Sequence, residues 1–188
     1  MKIISIVGSR SEKGQTARAG QAFVKGARGA GHEVKEHYLP KMHIERCRQC
    51  ENNGWGICRS EGKCIIEDDF AALVDGIRSA DFAVFANPVY FGDLSESLKT
   101  FLDRLRRITR VEAATKGIAG KPAVGISVAG GGGGGAALCS LSMEKVLSTC
   151  GFKVVDLVPV RRQNLAVKLD ILEMTGTHAA DYAASKDE

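Results

Sequence analysis

The sequence contains no long hydrophobic run. No stretch approaches the roughly 20 consecutive apolar residues that a membrane-spanning helix requires. The apolar run within "MKIISIVGSR", residues 1–10, is also too short for the hydrophobic core of a secretory signal. We therefore expect no membrane partner and a cytoplasmic location.

The chain also lacks a strong charge of either sign, a repeat and a linker. Its 26 Lys and Arg residues against 22 Asp and Glu leave a formal net charge of +4 over 188 residues. That balance predicts no nucleic-acid partner. The one notable basic cluster, which either lies on a solvated helix face or meets an anionic partner, is Arg104, Arg106, Arg107 and Arg110. We expect a single domain over residues 1–188.

Strand-like and helix-like segments alternate along the chain. The predicted strands, each rich in β-branched or alternating apolar residues, are 2–7, 32–39, 81–91, 121–130 and 152–160. Helical apolar stripes lie between them, and Asp93 with Glu96 predicts a capping box before the helix that follows the third strand. This alternation predicts an α/β fold, a doubly wound five-stranded parallel sheet with helices on both faces. A helical tail is expected from about residue 161.

Polar and flexible residues follow the first predicted strand. In "GSRSEKGQT", residues 8–16, the hydroxyl groups of Ser9, Ser11 and Thr16 stand beside glycines and just before a helix. Free backbone N–H groups and a helix N-terminus together favour a phosphate site. The loop is not a Walker A motif, because its lysine precedes Gly14. The alternative is an ordinary polar turn.

Aromatic residues follow the third predicted strand. In "NPVYFGDLSESLK", residues 87–99, Pro88 fixes the chain, Tyr90 and Phe91 offer aromatic faces, and Gly92 allows close backbone approach. Such a loop is suited to the polar edge of a flat ring, although aromatic residues after a strand are often core residues instead.

A run of glycines, Gly130 to Gly135, follows the fourth predicted strand. It matches G-x-G-x-x-G, but any glycine run does so, and Asp156 lies within a strand where a ribose-binding carboxylate would be expected at its end. We therefore predict a flexible loop that borders a ligand. The sequence shows no catalytic dyad or triad.

Four of the six cysteines lie within "CRQCENNGWGICRSEGKC", residues 47–64. Their spacing is Cys47-x2-Cys50-x7-Cys58-x5-Cys64. In a reducing compartment such a group more often binds metal or carries out redox chemistry than forms disulfides. An iron–sulfur cluster, a zinc ion and free thiols or disulfides all remain open. Cys139 and Cys150 lie on an apolar helix stripe and are predicted core residues.

Together these loops resemble the NAD(P)H-dependent FMN reductase family of flavodoxin-like proteins, and within it the iron–sulfur flavoproteins. The family's first loop is similar to SPRxxGNT, and residues 9–16 follow it with Arg10 in place of the proline, Ser11 in place of the arginine and Gln15 in place of the asparagine. Its third-strand loop is similar to SPVYFGSxSxxLKxFIDR, which "NPVYFGDLSESLKTFLDR", residues 87–104, matches closely. The resemblance covers roughly residues 2 to 160.

The resemblance implies an FMN-dependent oxidoreductase with NAD(P)H as a co-substrate. The residues that it implies for the FMN phosphate are Ser9, Arg10, Ser11, Gly14, Gln15 and Thr16. Those implied for the isoalloxazine ring are Pro88, Val89, Tyr90, Phe91 and Gly92, with Ala129, Gly130 and Gly131 on its other side. No side chain is assigned an acid or base role.

Iron–sulfur flavoproteins carry a C-x2-C-x2-C-x5-C run in the same place, into which this sequence inserts "ENNGW". The resemblance thus implies a [4Fe–4S] cluster that exchanges electrons with FMN, with the ligands Cys47, Cys50, Cys58 and Cys64. The alternatives are a cluster-free NAD(P)H-dependent FMN or quinone reductase and a flavodoxin-like electron carrier. The family also implies a homodimer or homotetramer, and a ferredoxin or another redox protein as a partner.

Overall fold

A computed structural model of the chain describes residues 1–184; residues 185–188, the end of the predicted tail, lie outside the described residues. The strands β1 to β5 are Lys2–Val7, Glu33–Tyr38, Phe82–Pro88, Pro122–Ala129 and Lys153–Arg161. The helices α1 to α8 within residues 1–184 are Gln15–Gly29, Ile57–Ser60, Phe70–Ser79, Glu96–Ile108, Glu112–Thr115, Ala136–Thr149, Leu165–Thr177 and Ala179–Ala184. Short 3₁₀ turns span Leu39–Lys41 and Arg162–Asn164.

The five strands form one parallel sheet in the order β2-β1-β3-β4-β5. Ile3 pairs with Val34 on one side and with Phe82 on the other, which places β1 inside the sheet. The chain runs outward from β1 to β2 and then returns across β1 to β3, so the topological switch point lies between β1 and β3. The predicted doubly wound α/β fold is confirmed, and the order is that of flavodoxin-like sheets.

Helices cover both faces of the sheet. On one face α3, α4 and α6 pack around Phe85, whose ring meets that of Phe152 edge-on at 5.3 Å between centroids. On the other face α1 and α7 pack around Phe23, whose ring stacks on Phe82 at 6.0 Å. Both core clusters are built from the apolar stripes that the sequence shows, and Cys139 and Cys150 are fully buried, as predicted.

Helix α1 touches α7 at two glycines. A Cβ built on Gly26 would overlap the carbonyl oxygen of Glu173, and one built on Gly176 would overlap that of Phe23. Only a residue without a side chain permits this approach of two helix backbones. The tail helix α7 is therefore packed directly against α1, on the same face of the sheet.

One local expectation is confirmed and one is corrected. Within the predicted segment 81–91 the strand ends at Pro88, where the proline is expected to halt it, and the chain then turns back at Tyr90, which pairs with Asp93. Helix α4 is capped by Ser95, whose Oγ accepts a hydrogen bond from the N–H of Leu98 at 3.4 Å. The predicted cap Asp93 instead accepts from the N–H of Leu94 at 2.8 Å.

Within residues 1–184, no helix is both long and apolar enough to cross a membrane.

Candidate functional site

The loop after β1 begins in a narrow gap. The N–H of Gly8 donates to the carbonyl of Ala86 on β3 at 2.8 Å, and the Ser97 hydroxyl donates to the Gly8 carbonyl at 3.1 Å. A Cβ on Gly8 would lie 2.6 Å from the Oγ of Ser95. Glycine is therefore required where this loop passes the start of α4.

Helix α1 begins directly after this loop, at Gln15. Gly14 at its N-cap offers no side-chain acceptor, and its first turn holds no acidic residue. The N–H groups of that turn therefore lack the usual side-chain cap, and the positive end of the helix dipole is not neutralised locally. The free N–H groups and the helix dipole together form an arrangement that accepts an anion. Gln15 also keeps a buried Oε1 with no hydrogen-bond partner among the described residues, an acceptor that needs a donor and does not itself attract an anion.

Asn87 joins the first loop to the second. Its side chain is fully buried at the end of β3. Its Oδ1 accepts from the Ser95 N–H at 3.0 Å and from the Ser95 hydroxyl at 2.8 Å, and its Nδ2 donates to the Pro88 carbonyl at 2.8 Å. Sequence reasoning missed this role, although Asn87 opens the motif on which the resemblance rests.

The aromatic loop is a tight two-residue turn. Tyr90 and Asp93 exchange backbone hydrogen bonds at 3.0 and 2.9 Å, and both residues between them have positive φ, 51° at Phe91 and 80° at Gly92. Positive φ is rare for a bulky residue such as Phe91. Phe91 is fully exposed and Tyr90 is half-exposed, so neither is a core residue. The Leu94 N–H bound to Asp93 holds the pKa of that carboxyl below its usual value.

The glycine run lies beside the aromatic loop. The N–H of Val89 donates to the carbonyl of Val128 on β4 at 2.9 Å, just before Ala129, which is buried, and Gly130 and Gly131, which are exposed. The run closes on itself where the N–H of Gly133 donates to the Gly130 carbonyl at 2.8 Å. Asp156 pairs with Val124 within the edge strand β5 and not at its end, as its place within the predicted strand indicates.

The predicted cofactor residues thus meet at one edge of the sheet. They occupy the loops beyond the carboxyl ends of β1, β3 and β4, which are neighbours in the sheet. The switch point of a doubly wound sheet is where ligands bind in such folds. The edge offers an anion-accepting helix start, exposed aromatic rings and a flexible glycine border.

The four clustered cysteines line a single cavity beside the C-terminal half of α4. All four are half-buried free thiols, and the cavity wall also holds Arg48, Arg104 and Arg107. In the part of the chain that the structure describes, no three His, Cys, Asp or Glu side chains approach closely enough to hold one metal ion. The four thiols therefore line one cavity without forming a tetrahedral metal site among the described residues.

Arg104 is buried beside this cavity. Its two terminal nitrogens donate to the Asp68 carboxylate at 2.6 and 2.9 Å, and Nη1 also donates to the Glu45 carbonyl at 3.0 Å. Its Nη2 lies 3.3 Å from the Sγ of Cys64. Burial alone would raise the pKa of the Asp68 carboxyl, but hydrogen bonds from Arg104 and from the Glu45 N–H hold it below its usual value.

The basic cluster predicted from sequence is therefore divided. The Arg104 side chain is buried in the interior and does not lie on a solvated helix face. Arg106 pairs with Asp103 at the surface at 3.0 Å, and Arg107 lies over the ring of Trp55 at 4.4 Å from its centroid. Arg110 also stands near that ring, at 5.9 Å. Trp55 lies outside the cavity lining and faces these arginines.

Comparison with known proteins identifies the family to which this chain belongs. The profile of the family described as NADPH-dependent FMN reductase matches residues 1–163. The chain belongs to this family. The expected FMN reductase family is thereby confirmed.

Curated relatives of this family member include archaeal iron–sulfur flavoproteins. One from Archaeoglobus fulgidus is 30% identical over 105 residues, which are 56% of this chain and 46% of that protein. One from Methanocaldococcus jannaschii is 31% identical over 131 residues, 70% of this chain and 65% of that protein. The chain thus spans about half to two thirds of the length of these relatives.

Solved structures confirm the fold. A flavodoxin from the domain Archaea superposes with a TM-score of 0.63 over 98% of this chain and all of that chain, at 13% sequence identity. At this identity the likeness shows the flavodoxin-like fold alone.

Proposed function

We propose that this family member is an FMN-dependent oxidoreductase with FMN at the three-loop edge and a [4Fe–4S] cluster in the cysteine cavity, and that the two exchange electrons. The observation that carries the proposal is the convergence of two separate sites on one helix. Helix α4 begins at the three-loop edge, where Ser95 caps it, and ends at the cavity that holds the four thiols.

The phosphate of FMN is assigned to the loop after β1 and the first turn of α1. Bound FMN would supply the hydride and one-electron chemistry, and the protein supplies binding and electrostatics. The residues assigned to the phosphate are Ser9, Arg10, Ser11, Gly14, Gln15 and Thr16. The N–H groups of the first turn of α1 would donate to phosphate oxygens, and exposed Arg10 adds a positive charge.

The isoalloxazine ring is assigned to the space between the aromatic loop and the glycine run. The residues assigned to it are Pro88, Val89, Tyr90, Phe91 and Gly92, with Ala129, Gly130 and Gly131 opposite. Backbone N–H groups in these loops would bind the polar edge of the ring, and the exposed rings of Tyr90 and Phe91 would exclude water from its face.

The cluster is assigned to Cys47, Cys50, Cys58 and Cys64. Support comes from three sources: the four free thiols share one cavity, the cavity wall carries cationic side chains, and the relatives are named iron–sulfur flavoproteins. Arg104 also keeps a buried Nε–H that has no acceptor within residues 1–184. Thiolates on an iron cluster carry net negative charge, which such donors and cations stabilise.

The decisive experiment is anaerobic purification with iron, sulfide and FMN assayed on one sample beside the visible spectrum. We expect one FMN and about four iron and four sulfide per chain, as a [4Fe–4S] cluster requires. Replacing Cys58 by Ser should remove most of the iron, whereas Cys150→Ala, which alters a buried cysteine outside the cavity, should retain it. Flavin without iron would contradict the cluster, and failure to bind added FMN would contradict the whole proposal.

The family profile favours one second candidate, a cluster-free NAD(P)H-dependent FMN or quinone reductase. Steady-state oxidation of NADPH by iron-free protein, with FMN or a quinone as acceptor, separates it from the main proposal. NAD(P)H as co-substrate, a ferredoxin or other redox protein as partner, and a cytoplasmic location remain parts of the proposal. Free thiols at all six cysteines favour a reducing compartment.

A further inference from the structure

Arg104 is a fully enclosed cationic side chain beside the cysteine cavity. It is 1% exposed, its guanidinium lies 4.1 Å from the centroid of the Phe70 ring, and two hydrogen bonds to Asp68 fix its orientation. In this fixed orientation its Nη2 donates to the Sγ of Cys64 at 3.3 Å. A guanidinium held in this way cannot turn away from the sulfur without breaking the buried pair.

We propose that Arg104 sets the reduction potential of the iron–sulfur cluster through its hydrogen bond to Cys64. The inference rests on the proposed cluster and deepens it, since it names the side chain that tunes the cluster. Arg104 is a positioning residue, because it acts on the cluster through one of its ligands.

The physical reason is the charge that reduction adds. One electron, supplied by a reductant such as dithionite, enters the cluster and makes its total charge one unit more negative, and no bond forms or breaks. A donor to a ligand sulfur stabilises the reduced form more than the oxidised form, so it raises the reduction potential. Inside the protein, where water screens little, this interaction is stronger than at the surface.

A purely structural role for Arg104 makes a different prediction. Arg104 and Asp68 also bind the backbone of Glu45, two residues before Cys47, so together they fasten both ends of the cysteine loop. If fastening were their whole role, their replacement would lower stability or cluster occupancy and leave the potential of the remaining cluster unchanged. The reduction potential therefore separates the two roles.

The chain offers a matched pair of variants. Arg104→Gln with Asp68→Asn removes the buried pair without leaving a lone buried carboxylate. Arg106→Gln with Asp103→Asn also removes one positive and one negative charge, here from exposed side chains of α4, which are 39% and 41% exposed. A third variant, Arg104→Lys, keeps the positive charge, but a single ammonium cannot replace the two-nitrogen grip on Asp68 and also reach Cys64.

The measurement is a potentiometric reduction under anaerobic conditions, followed by the cluster's absorption and paramagnetic resonance. We expect the equilibrium constant for reduction to fall about tenfold in the Arg104/Asp68 variant, a decrease of about 59 mV for one electron. The Arg106/Asp103 variant should keep the wild-type potential, and Arg104→Lys should also shift downward. Iron and sulfide are assayed first on every sample.

Each outcome decides one question. Wild-type protein without iron contradicts the proposed cluster and is seen before any potential is measured. An intact cluster with the wild-type potential in the Arg104/Asp68 variant overturns the role of Arg104. If that variant takes up no iron, Arg104→Lys decides: a lowered potential supports the inference, and the wild-type potential overturns it.

Discussion

Asn87 shows how one buried amide shapes the proposed flavin site. Its replacement by Ala would leave the Ser95 N–H and the Pro88 carbonyl without their partner, and each buried group left unpaired costs about 1–3 kcal/mol. The loops after β1 and β3 would then lose their common support. We expect Asn87→Ala to weaken FMN binding about tenfold, or about 1.4 kcal/mol, as measured by quenching of flavin fluorescence on the apoprotein.

The control for this prediction is Asn52→Ala, since Asn52 is exposed and lies in the cysteine loop. It should leave both FMN affinity and thermal stability unchanged. An Asn87→Ala protein that melts earlier but binds FMN with wild-type affinity would show that Asn87 supports the fold and does not position the flavin loops.

At the scale of elements, the contact between α1 and α7 makes a sharp prediction. Gly26→Ala places a methyl group against the Glu173 backbone, so the two helices must separate, and overpacking of this kind costs about 1–3 kcal/mol. Gly29→Ala is the matched control in the same helix, because nothing lies within 4 Å of its added Cβ. Alanine there should stabilise the protein by up to about 1 kcal/mol through helix propensity.

Chemical denaturation of both variants measures these free energies of unfolding. Equal stabilisation by Gly26→Ala and Gly29→Ala would show that α1 and α7 do not pack as closely as described.

Elements with strong periodicity could be predicted from the sequence. The apolar periodicity of the buried strands and of α3, from Phe70 to Ile77, predicts these elements correctly. The family motifs predict which three loops carry the proposed flavin site. The cap of α4 was predicted wrongly, because Asp93 and Ser95 are both good cap residues and only the turn at Phe91 decides between them.

The burial of Arg104 was beyond sequence reasoning. Its hydrogen-bond partners Glu45 and Asp68 lie 59 and 36 positions away in the chain, so no local pattern connects them. An arginine among other arginines in an amphipathic helix looks solvated until the cysteine loop is folded over it. The arrangement of the four thiols escaped prediction for the same reason, since loops have no period to fix their geometry.

At the scale of the whole molecule, exposed apolar side chains indicate an interface. Leu138 and Leu141 of α6 are 64% and 60% exposed, three residues apart on one helix face, and the α6 N-terminus adjoins the glycine run. Contiguous exposed apolar surface commonly marks a contact between proteins. We expect a homodimer or homotetramer, and we expect Leu138→Ser with Leu141→Ser to lower its mass in analytical ultracentrifugation.

Val167→Ser with Met174→Ser is the control, since these α7 side chains are similarly exposed, at 64% and 63%. If only this second pair of substitutions dissociated the oligomer, the interface would lie on α7 and not on α6. A wild-type protein that sediments as a monomer at micromolar concentration would show that the expected assembly is wrong.

Helix α4 connects the two proposed redox sites of one chain. Eight residues separate Glu96, at the flavin edge, from Arg104, at the cysteine cavity, and a helix rises about 1.5 Å per residue, so this rod fixes roughly 12 Å. Insertions in the cysteine loop, such as "ENNGW", then change how the cavity is covered and leave that interval unchanged. The interval between Glu96 and Arg104 therefore does not depend on the length of the cysteine loop, and only a change in α4 itself would alter it.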